Sequence, residues 1–413
     1  MAEGGPDPSR RLGELFDADG HQLYLVGGAV RDQLLGLRSL ADDIDLTTDA
    51  RPQQILAIIE PIATAVWRQG ERFGTIGATV FGRAVEITTY RSETYDDDSR
   101  KPVVGFGDDL ETDLSRRDFS INAMARNALT GELVDPHDGR TDLEEGRIRT
   151  PLSAEISFTD DPLRILRAAR FASRLDFVLD PSLVAAATEL SGRVSIVSGE
   201  RILAELDRLL ALPDPTAGLR FLWETGVLSE SLDRAPLPGF DTVADAIARM
   251  PSDRPVDAAV RWASICHLAG VDADELASLL RMSNERQREL EMLVSTSLPD
   301  PADPVQVRRR LVRPGLASME RVIAVAQLIG SHETTILDAT WRALRERSER
   351  EPAEALASPL DGSEVIAELG IDPGPEVGRT LAFLVESAIM EGPLTGDRAR
   401  ELARQFHARE RHK

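Results

Sequence analysis

The chain has 413 residues, of which 42% are hydrophobic and 29% charged, and its formal net charge at pH 7 is −22. This composition is typical of a soluble globular protein, and the length predicts two to four domains. The acidic balance argues against a protein that binds nucleic acid indiscriminately, so any such contact must come from local basic patches.

The first predicted elements are a strand, a glycine turn and the start of a helix. The apolar run at residues 23–26 predicts the strand, Gly27 and Gly28 form the turn, and the helix is expected to begin at Ala29. Glycines let the backbone approach a ligand closely, and the free N–H groups of a helix start favour an anion. The segment therefore predicts a phosphate-binding turn, although such a pair of glycines is often an ordinary turn.

Two aspartates, Asp43 and Asp45, follow on a second predicted strand. Because side chains alternate across a strand, both carboxylates point to the same face. Neighbouring like charges repel each other, which favours a divalent cation beside them. A solvated surface pair is the alternative for the aspartates alone, but together with the phosphate turn they predict a nucleoside triphosphate bound with Mg²⁺.

A helix and two more strands come next. The spacing of isoleucines predicts a helix over residues 52–62, and two further segments predict strands at 75–81 and 84–90 that a Gly-Arg turn joins into a hairpin. This order indicates a small mixed α/β domain. Glu86 on the last strand is a candidate third carboxylate near the two aspartates, with a surface acid on an edge strand as the alternative.

Residues 116–125, RRDFSINAMA, place an arginine and an aspartate side by side. Arg117 suits a phosphate because its planar guanidinium can donate two hydrogen bonds, and Asp118 can accept one from a ribose 2′-OH. Taken alone, an Arg-Asp pair that caps a helix is the simpler interpretation.

From about residue 151 the pattern becomes helical. Residues 160–172 place a proline near a helix start and two acids just before it, as expected for a helix N-terminus. Arginines then recur at intervals of three or four residues and give one helix face a basic stripe. These are Arg164, Arg167, Arg170 and Arg174. Without further context such a stripe is usually a solvated face.

The second half of the sequence is informative mainly through what it lacks. The single cysteine, Cys266, excludes an internal disulfide, and six scattered histidines lack zinc-finger spacing, so carboxylates are the expected ligands of any metal. His267, on an apolar predicted helix, is expected to be a core residue. No apolar run is long enough to span a bilayer and residues 1–12 lack the apolar core of a signal peptide, so we expect a cytoplasmic protein without a membrane partner.

In this order, the motifs resemble those of the bacterial (class II) tRNA CCA-adding nucleotidyltransferases and the related bacterial poly(A) polymerases. The resemblance covers most of the chain and implies an α/β nucleotidyltransferase (polymerase-β-like) head followed by an all-α neck, body and tail. The implied boundaries are 1–150 for the head, 151–215 for the neck, 216–300 for the body and 301–413 for a tRNA-binding tail. The implied reaction is template-independent addition of C, C and A to the 3′ end of tRNA from CTP and ATP.

The resemblance also implies roles for single residues. Asp43 and Asp45 would hold the catalytic Mg²⁺ ions, and Glu86 would be a third catalytic carboxylate. Asp118 would contact the ribose. The residues that would contact phosphates are glycine and arginines at matching motif positions, namely Gly28, Arg31, Arg117, Arg167 and Arg170.

Base selection would depend on Asp161 and Arg164. The carboxylate can accept from the exocyclic amino group of cytosine or adenine while the arginine donates to the neighbouring ring acceptor. Guanine and uracil present a different order of donors and acceptors, so they would leave buried polar groups unpaired. The chain has Asp160 where the family usually has glutamate, one position before the pairing residue.

The resemblance extends to segments around these motifs. It implies a mobile loop at residues 95–112 that adjusts the pocket between nucleotides, a hinge at 135–143 and structural support for the neck at 198–206. Many relatives carry a metal-dependent phosphohydrolase domain marked by a His-Asp pair. This chain has His267 followed by leucine, so we expect that activity to be missing.

Several alternatives stay open. A poly(A) polymerase, or an enzyme that adds only CC or only A, would share every catalytic residue. An RNA-binding protein without catalysis is less favoured, because binding alone does not need Asp43, Asp45, Asp161 or Arg164. A small-molecule nucleotidyltransferase would leave the long helical half without a role. No obligate protein partner is evident.

Overall fold

The computed structural model describes residues 8–37, 43–94, 103–107, 109–232 and 257–411. The chain divides into two compact units, Met1–Pro236 and Leu237–Lys413. Among the described residues, no helix is long and apolar enough to cross a membrane.

The first unit begins with a mixed α/β region. Its strands are β1 (Leu23–Val26), β2 (Asp43–Thr48), β3 (Ala63–Trp67), β4 (Thr75–Val80), β5 (Arg83–Thr89), β6 (Arg91–Thr94), β7 (Val103–Phe106), β8 (Ala125–Asn127) and β9 (Leu133–Val134). Its α-helices are α1 (Pro8–Ala18), α2 (Gly28–Leu34), α3 (Pro52–Ile59), α4 (Leu110–Ser115) and α5 (Gly139–Glu144). Short 3₁₀ helices lie at Glu71–Phe73 and Ser120–Asn122.

Seven of these strands form one sheet in the order β3-β4-β5-β2-β1-β8-β9, and β6 pairs with β7 in a separate ribbon. In the large sheet β2 and β5 are parallel, whereas the other neighbouring strands are antiparallel. Helix α3 packs against β4 and β5. The alternate β5 residues Val85 and Ile87 are fully buried, while Glu86 between them is exposed. One sheet face is therefore core and the other remains open for a site.

The predicted order of elements in this region is confirmed, with shifts at the boundaries. The hairpin between β4 and β5 turns at Phe81 and Gly82, both with positive φ, and Val80 pairs with Arg83. The turn thus lies one residue earlier than expected, because a two-residue hairpin loop needs two left-handed residues in succession. The expected loop at 95–112 lies partly outside the described residues. Its described part contains β7 and the start of α4, because Val103 to Phe106 supplies apolar β-formers.

The first unit continues as packed helices. These are α6 (Ala154–Asp160), α7 (Leu163–Leu175), α8 (Pro181–Glu189), α9 (Gly199–Leu210), α10 (Thr216–Glu224) and α11 (Val227–Ser231), with a 3₁₀ helix at Ser191–Ile196. A two-stranded parallel pair joins β10 (Arg147–Ile148) to β11 (Val178–Leu179). Helix α7 packs against both α9 and α10. At Gly218 a Cβ would overlap the Ala169 backbone, so glycine allows α10 to lie close to α7.

All regular elements described in the second unit are helices. They are α12 (Ala258–Ala269), α13 (Ala273–Leu279), α14 (Asn284–Ser295), α15 (Pro304–Val312), α16 (Leu316–Leu328), α17 (Thr334–Arg350), α18 (Gly362–Leu369), α19 (Pro375–Glu391) and α20 (Gly396–Glu410), with a 3₁₀ helix at Ala353–Leu356. The mixed sheet and the helices that follow confirm the predicted fold class. Helices α10 and α11 pack with the neck helices, whereas the four boundaries set from the sequence remain predictions.

One expectation in the second unit is wrong. His267 is exposed on α12, while its neighbour Cys266 is buried. The helix is apolar on several sides, so residue type alone did not show which position faces solvent.

The basic run at residues 308–310 also contains a buried side chain, that of Arg308. Arg308 pairs with Glu351 at 2.5 Å and donates to the Ile389 and Met390 carbonyl oxygens at the end of α19.

Candidate active site

A cavity of about 360 Å³ lies on the open side of the sheet, between its strands and the neck helices of the same unit. It brings together six of the residues predicted for the site, which are Asp45, Arg117, Asp118, Asp161, Arg164 and Arg167. Val26, Leu46, Thr88, Arg91, Arg116, Leu163 and Arg201 complete the lining. Residues that are more than a hundred positions apart in sequence therefore converge on one pocket.

The glycine turn between β1 and α2 lies beside this cavity. Gly27 has a φ of 70°, a conformation that side-chain-bearing residues rarely adopt. A Cβ at this position would lie 3.5 Å from Arg117 Nη1 and 3.9 Å from Asp45 Oδ2. The turn, the arginine and the aspartate thus meet at one point. At Gly28 the corresponding distance to Arg31 Nη2 is 3.4 Å.

The carboxylates of the sheet lie on neighbouring parallel strands. Asp45 on β2 is directly opposite Glu86 on β5, and both side chains are exposed on the open face. Asp43 occupies the first position of β2, opposite Ala84, but its side chain lies outside the described residues. Among the side chains that the structure describes, no group of three potential ligands is already assembled around a metal position. Oxygen donors on adjacent strands fit a hard divalent cation.

A buried aspartate, Asp113, anchors the arginines on one wall of the cavity. It is completely buried and accepts hydrogen bonds from Arg116 at 2.7 and 3.1 Å and from Arg117 Nη2 at 3.2 Å. It also accepts from the Arg91 backbone N–H at 3.2 Å. Burial alone raises the pKa of this carboxyl, but Arg117 and Arg116 outweigh that effect and hold the pKa below its usual range. Asp113 is therefore ionised and fixes both guanidinium groups.

Asp118 connects the sheet region to the neck. Its Oδ2 accepts from Arg167 Nε and Nη2 at 2.9 and 2.6 Å, and its Oδ1 accepts from Asn122 Nδ2 at 3.0 Å. Burial raises the pKa of Asp118, but the charge of Arg167 and these hydrogen bonds lower it overall. The carboxylate is thus ionised and held by fixed donors, which suits a group that accepts from a ligand hydroxyl.

Glu205 on α9 supports the arginine stripe from below. It is 3% exposed and accepts from Arg170 Nε at 2.6 Å, from Arg208 Nη1 at 3.0 Å and from Arg167 Nη1 at 3.4 Å. The Phe171 ring lies under the same group, with the Arg170 and Arg167 guanidinium carbons 4.5 and 5.8 Å from its centroid. A carboxylate and an aromatic face together stabilise neighbouring positive charges. Arg167 and Arg170 are therefore fixed parts of the structure, whereas Arg174, with 43% of its side chain exposed, lies at the solvated end of the stripe.

Two of the residues predicted to bind phosphate are buried. The Arg31 side chain is 2% exposed, donates to Asp32 Oδ1 from Nε and Nη2 at 2.8 and 2.7 Å, and donates to Asn122 Oδ1 at 2.7 Å. Its guanidinium carbon also lies 5.1 Å from the Phe171 ring centroid. Arg170 is similarly enclosed, with 10% of its side chain exposed. Neither lines the cavity, and their contact with phosphate stays a prediction.

The pair predicted to read the base lies at the break between α6 and α7. Asp161 has an extended backbone there, with φ −139° and ψ 99°. Its Oδ1 accepts from the Leu163 N–H at 3.2 Å and its Oδ2 from Arg201 Nη2 at 3.0 Å. Arg164 donates to Ser157 Oγ at 2.8 Å and to the Arg116 carbonyl oxygen at 2.6 Å. Both side chains are therefore held in fixed orientations toward the cavity.

Several residues that shape this site were not predicted from the sequence. Asp113 was not selected, and Arg201 and Glu205 were treated only as parts of the supporting segment at 198–206. A signal for Glu205 was present, because it shares a buried helix face with Ile202, Leu206 and Leu209. An acid on an apolar face is rarely left without a partner.

Two family models match the first unit. Residues 23–149 match the poly A polymerase head domain, and residues 176–235 match a probable RNA and SrmB-binding site of polymerase A. The first match contains the glycine turn, β2, β5 and the Arg117-Asp118 pair. The second covers α8 to α11, including Glu205.

Whole proteins and solved structures are similar along the full chain. The chain is 31% identical over 402 residues to the CCA-adding enzyme of Lactobacillus johnsonii, with 94% of each chain covered. It is 31% identical over 388 residues to the CCA-adding enzyme of Geobacillus stearothermophilus, with 92% of each covered. The crystal structure of the Bacillus stearothermophilus CCA-adding enzyme in complex with CTP superposes with a TM-score of 0.76 at 27% identity, covering 99% of this chain and 100% of that one.

Proposed function

Because this chain belongs to the family of CCA-adding enzymes, we propose that it adds C, C and A in turn to the 3′ end of tRNA, using CTP and ATP and releasing pyrophosphate. The observation that carries this proposal is the cavity of about 360 Å³ that brings Asp45, Arg117, Asp118, Asp161 and Arg164 together. The same pocket offers a carboxylate, phosphate-binding cations and hydrogen-bonding groups for a sugar and a base. A nucleoside triphosphate needs all of these.

The catalytic carboxylates in this proposal are Asp43, Asp45 and Glu86. Members of the family use divalent metal ions, and we propose that Asp43 and Asp45 hold Mg²⁺, whose preferred ligands are oxygens. When bound, Mg²⁺ activates the primer 3′-OH and neutralises charge on the triphosphate. Glu86 lies opposite Asp45 on the neighbouring strand, which supports a role for it beside that pair.

Phosphate binding is assigned to the glycine turn and the arginines. Gly28 begins α2, and the positive φ of Gly27 allows the tight turn beside Arg117. Asp113 fixes Arg117, and Glu205 fixes Arg167 and Arg170, so these groups need little reorganisation when a triphosphate arrives. Preorganised charges stabilise the developing charge on the leaving pyrophosphate more effectively than mobile ones.

Arg31 has a distinct role in this proposal. Its bonds to Asp32 and Asn122 connect α2 to the segment that carries Asp118. We assign it to holding the turn and the ribose-binding aspartate in register, and any contact with phosphate would be secondary to that role.

Base selection is assigned to Asp161 and Arg164, whose side chains are held by hydrogen bonds to neighbouring groups. Asp161 would accept from the amino group of cytosine or adenine, and Arg164 would donate to the adjacent ring acceptor. Uracil and guanine would set a donor against a donor or an acceptor against an acceptor. Arg201 holds the Asp161 carboxylate in place at 3.0 Å, so it orients this group. The substrates tRNA, CTP and ATP occur in the cytoplasm, and we propose that the enzyme acts there.

The deciding experiment uses purified full-length protein, Mg²⁺ and three tRNA transcripts that end before CCA, after C and after CC. Each transcript receives CTP, ATP or both, and products are resolved at single-nucleotide resolution. Asp45→Asn removes one carboxylate charge with little change in volume. Asp19→Asn, an exposed aspartate after α1, is the matched control.

Growth that stops at CCA with the wild type and the control, but not with Asp45→Asn, is the expected result. A long A tail would identify a poly(A) polymerase, and growth by C only or A only would identify a partial enzyme. Absence of growth on every primer, with RNA still bound, would overturn the enzymatic proposal. Replacing Mg²⁺ by Ca²⁺ or adding EDTA is expected to stop growth while leaving CTP-free RNA binding intact.

A further inference from the structure

A second cavity, of about 320 Å³, lies on the same sheet face and shares Arg91 with the first. Its lining combines two aromatic side chains with small and polar residues, namely Trp67, Gln69, Gly70, Phe73, Thr75, Gly77, Glu86 and Arg91. None of the roles assigned above uses this cavity, except that Glu86 forms part of its wall. Phe73 is 43% exposed, which is unusual for so large an apolar side chain.

The strand register places this cavity next to the catalytic carboxylates. Trp67 on β3 is opposite Gly77 on β4, Gly77 is opposite Glu86 on β5, and Glu86 is opposite Asp45 on β2. Residues that are directly opposite share one face of a sheet. These four residues therefore form a single row that crosses four strands and ends at the proposed metal-binding aspartate.

The absence of a side chain at Gly77 allows the Trp67 ring to lie over β4. A Cβ at that position would overlap the indole ring of Trp67, so the ring lies directly over the strand at this position. Neighbouring strands are about 4.8 Å apart. The indole therefore lies about one strand spacing from the Glu86 backbone and about two from that of Asp45.

We propose that this second cavity binds the 3′-terminal nucleotide of the RNA primer. The base of that nucleotide stacks on Trp67 and contacts Phe73 at its edge, and the 3′-OH points toward Asp45. The inference rests on the proposed function and adds to it the position of the second substrate. The nucleotide triphosphate occupies the first cavity, which six arginines line. The second contains one arginine, Arg91, whose Nη2 already donates to Thr75 Oγ1 at 2.6 Å.

The different charges of the triphosphate and the primer terminus match the different numbers of arginines in the two cavities. A triphosphate carries several negative charges and needs several cations, whereas a primer terminus brings one phosphodiester on its 5′ side. Nucleotidyl transfer also requires that the attacking hydroxyl and the α-phosphate meet at the catalytic carboxylates from different sides. Two cavities that share Arg91 and flank the Asp45–Glu86 pair satisfy this requirement.

An aromatic surface also suits the succession of primers. During CCA addition the terminal base changes from the last base of the tRNA body to C and then to C again. Stacking on an aromatic ring tolerates any base, because every base has a π face. Hydrogen-bonding side chains would discriminate between these primers, and a flat ring does not.

The test uses a tRNA acceptor-stem minihelix that ends before CCA and carries 2-aminopurine as its last base. Its fluorescence is quenched when the base stacks on an indole. In parallel, single-turnover extension with CTP gives the half-saturating concentrations of primer and of CTP separately. The variants are Trp67→Ala, Trp67→Phe and Phe73→Ala in the full chain.

The matched control is Phe81→Ala. Phe73 precedes β4 with Arg72 stacked 4.5 Å from its ring centroid, and Phe81 follows β4 with Arg11 stacked at 4.3 Å. The two aromatic residues carry the same kind of arginine contact at opposite ends of β4, and only Phe73 borders the cavity. Phe81 lies in the hairpin turn at positive φ, so the melting temperature of Phe81→Ala is measured alongside its activity.

We expect Trp67→Ala to raise the half-saturating primer concentration about 5- to 150-fold, the range that alanine substitution gives for one stacked base, and to abolish the quenching. Trp67→Phe keeps a ring and should lose much less, and Phe73→Ala should raise the value several-fold without disturbing the core. Phe81→Ala and the half-saturating CTP concentration should not change.

Two outcomes would overturn the inference while the proposed function stands. One is normal primer saturation and quenching in both Trp67→Ala and Phe73→Ala. The other is a rise for CTP instead of primer, which would assign the cavity to the incoming nucleotide. If the wild type extends no primer at all, the proposed function itself has failed, and the quenching measurement alone still tests binding in the cavity.

Discussion

Glu205 offers the sharpest test of how the arginine stripe is held. The substitution Glu205→Gln removes one negative charge and leaves the size of the side chain almost unchanged. In the wild type the carboxylate is 3% exposed and accepts from three arginines at 2.6, 3.0 and 3.4 Å. After the substitution Arg170, with 10% of its side chain exposed, loses its carboxylate partner.

The expected loss of stability follows from burial. Breaking a buried ion pair by removing one partner costs about 3–5 kcal/mol, because a charge remains in a poorly solvated place. For the first unit, which spans Met1–Pro236, each kcal/mol shifts the melting temperature by roughly 2–4 °C. We therefore expect the first thermal transition of Glu205→Gln to fall by roughly 6–20 °C. Arg167 retains Asp118 as a partner, so the loss should not reach the sum of two broken pairs.

The assay is thermal unfolding followed by circular dichroism, with CTP incorporation measured well below the transition. Glu200→Gln is the matched control, since Glu200 lies on the same helix and is exposed. The double variant Glu205→Gln with Arg170→Met removes both charges of the main pair. Replacing both partners by groups of similar volume is often near neutral, so this variant should melt above the single one.

Two results would refute the reasoning. One is a melting temperature for Glu205→Gln that matches that of Glu200→Gln. The other is a double variant no more stable than the single one, which would mean that the unpaired Arg170 charge is not the source of the loss. Incorporation should also fall modestly in Glu205→Gln at low temperature, through a higher KM for CTP, because Arg167 loses one of its two carboxylate partners and keeps only Asp118.

Three other predictions concern positions near the cavity. Gly27→Ala should lose about 1–3 kcal/mol of stability through backbone strain at its positive φ, and it should also lose activity, because relief of that strain shifts the turn beside Arg117 and Asp45. Gly36→Ala, also at positive φ but with nothing within 4 Å of its Cβ position, should lose stability only, so equal activities of the two variants would contradict this. Asp113→Asn should flatten the acid limb of the stability curve. The pKa of Asp113 is lowered in the folded state, so its contribution is complete above the unfolded value of about 3.9 and is lost as pH falls through the folded value. Urea titrations between pH 6 and pH 2 measure that slope, and unchanged slopes would refute the assignment. Arg31→Lys should lose at least about 2 kcal/mol in the same titrations, because an ammonium cannot replace the forked guanidinium bonds, and wild-type stability would show that those bonds contribute little.

Local patterns predicted the elements that hold the site, because each depends on a few neighbouring residues. The strand before Gly27, the helix after it and the strand that begins at Asp43 follow from apolar alternation and glycine punctuation. All three appear where expected, within one residue. The hairpin before Glu86 was placed within one residue for the same reason. Local patterns do not specify which arginine pairs with which carboxylate.

The ion pairs show this limit. Arg117 and Asp113 lie one helical turn apart, so this pair was open to sequence reasoning through the i to i+4 rule. It was missed because Asp113 lies between the predicted loop at 95–112 and the motif at 116–125, where no helix was predicted. Arg167 and Glu205 lie on different helices, 38 positions apart. Only the packing of α7 against α9 brings them together, and neither periodicity nor composition specifies that contact.

The cavity is locally positive although the chain as a whole is acidic. The chain carries a net charge of −22, yet six arginines and only three aspartates line the cavity. A positive cavity in an acidic protein concentrates positive electrostatic potential at one place, so it attracts a compact anion such as a triphosphate. The acidic remainder of the chain repels an extended polyanion such as an RNA backbone. For an enzyme whose second substrate is RNA, this arrangement favours entry of a triphosphate and of one chain end over binding along the RNA backbone. Salt should therefore weaken CTP binding more steeply in the wild type than in Arg164→Met, since each cation removed from the cavity removes part of the screened attraction.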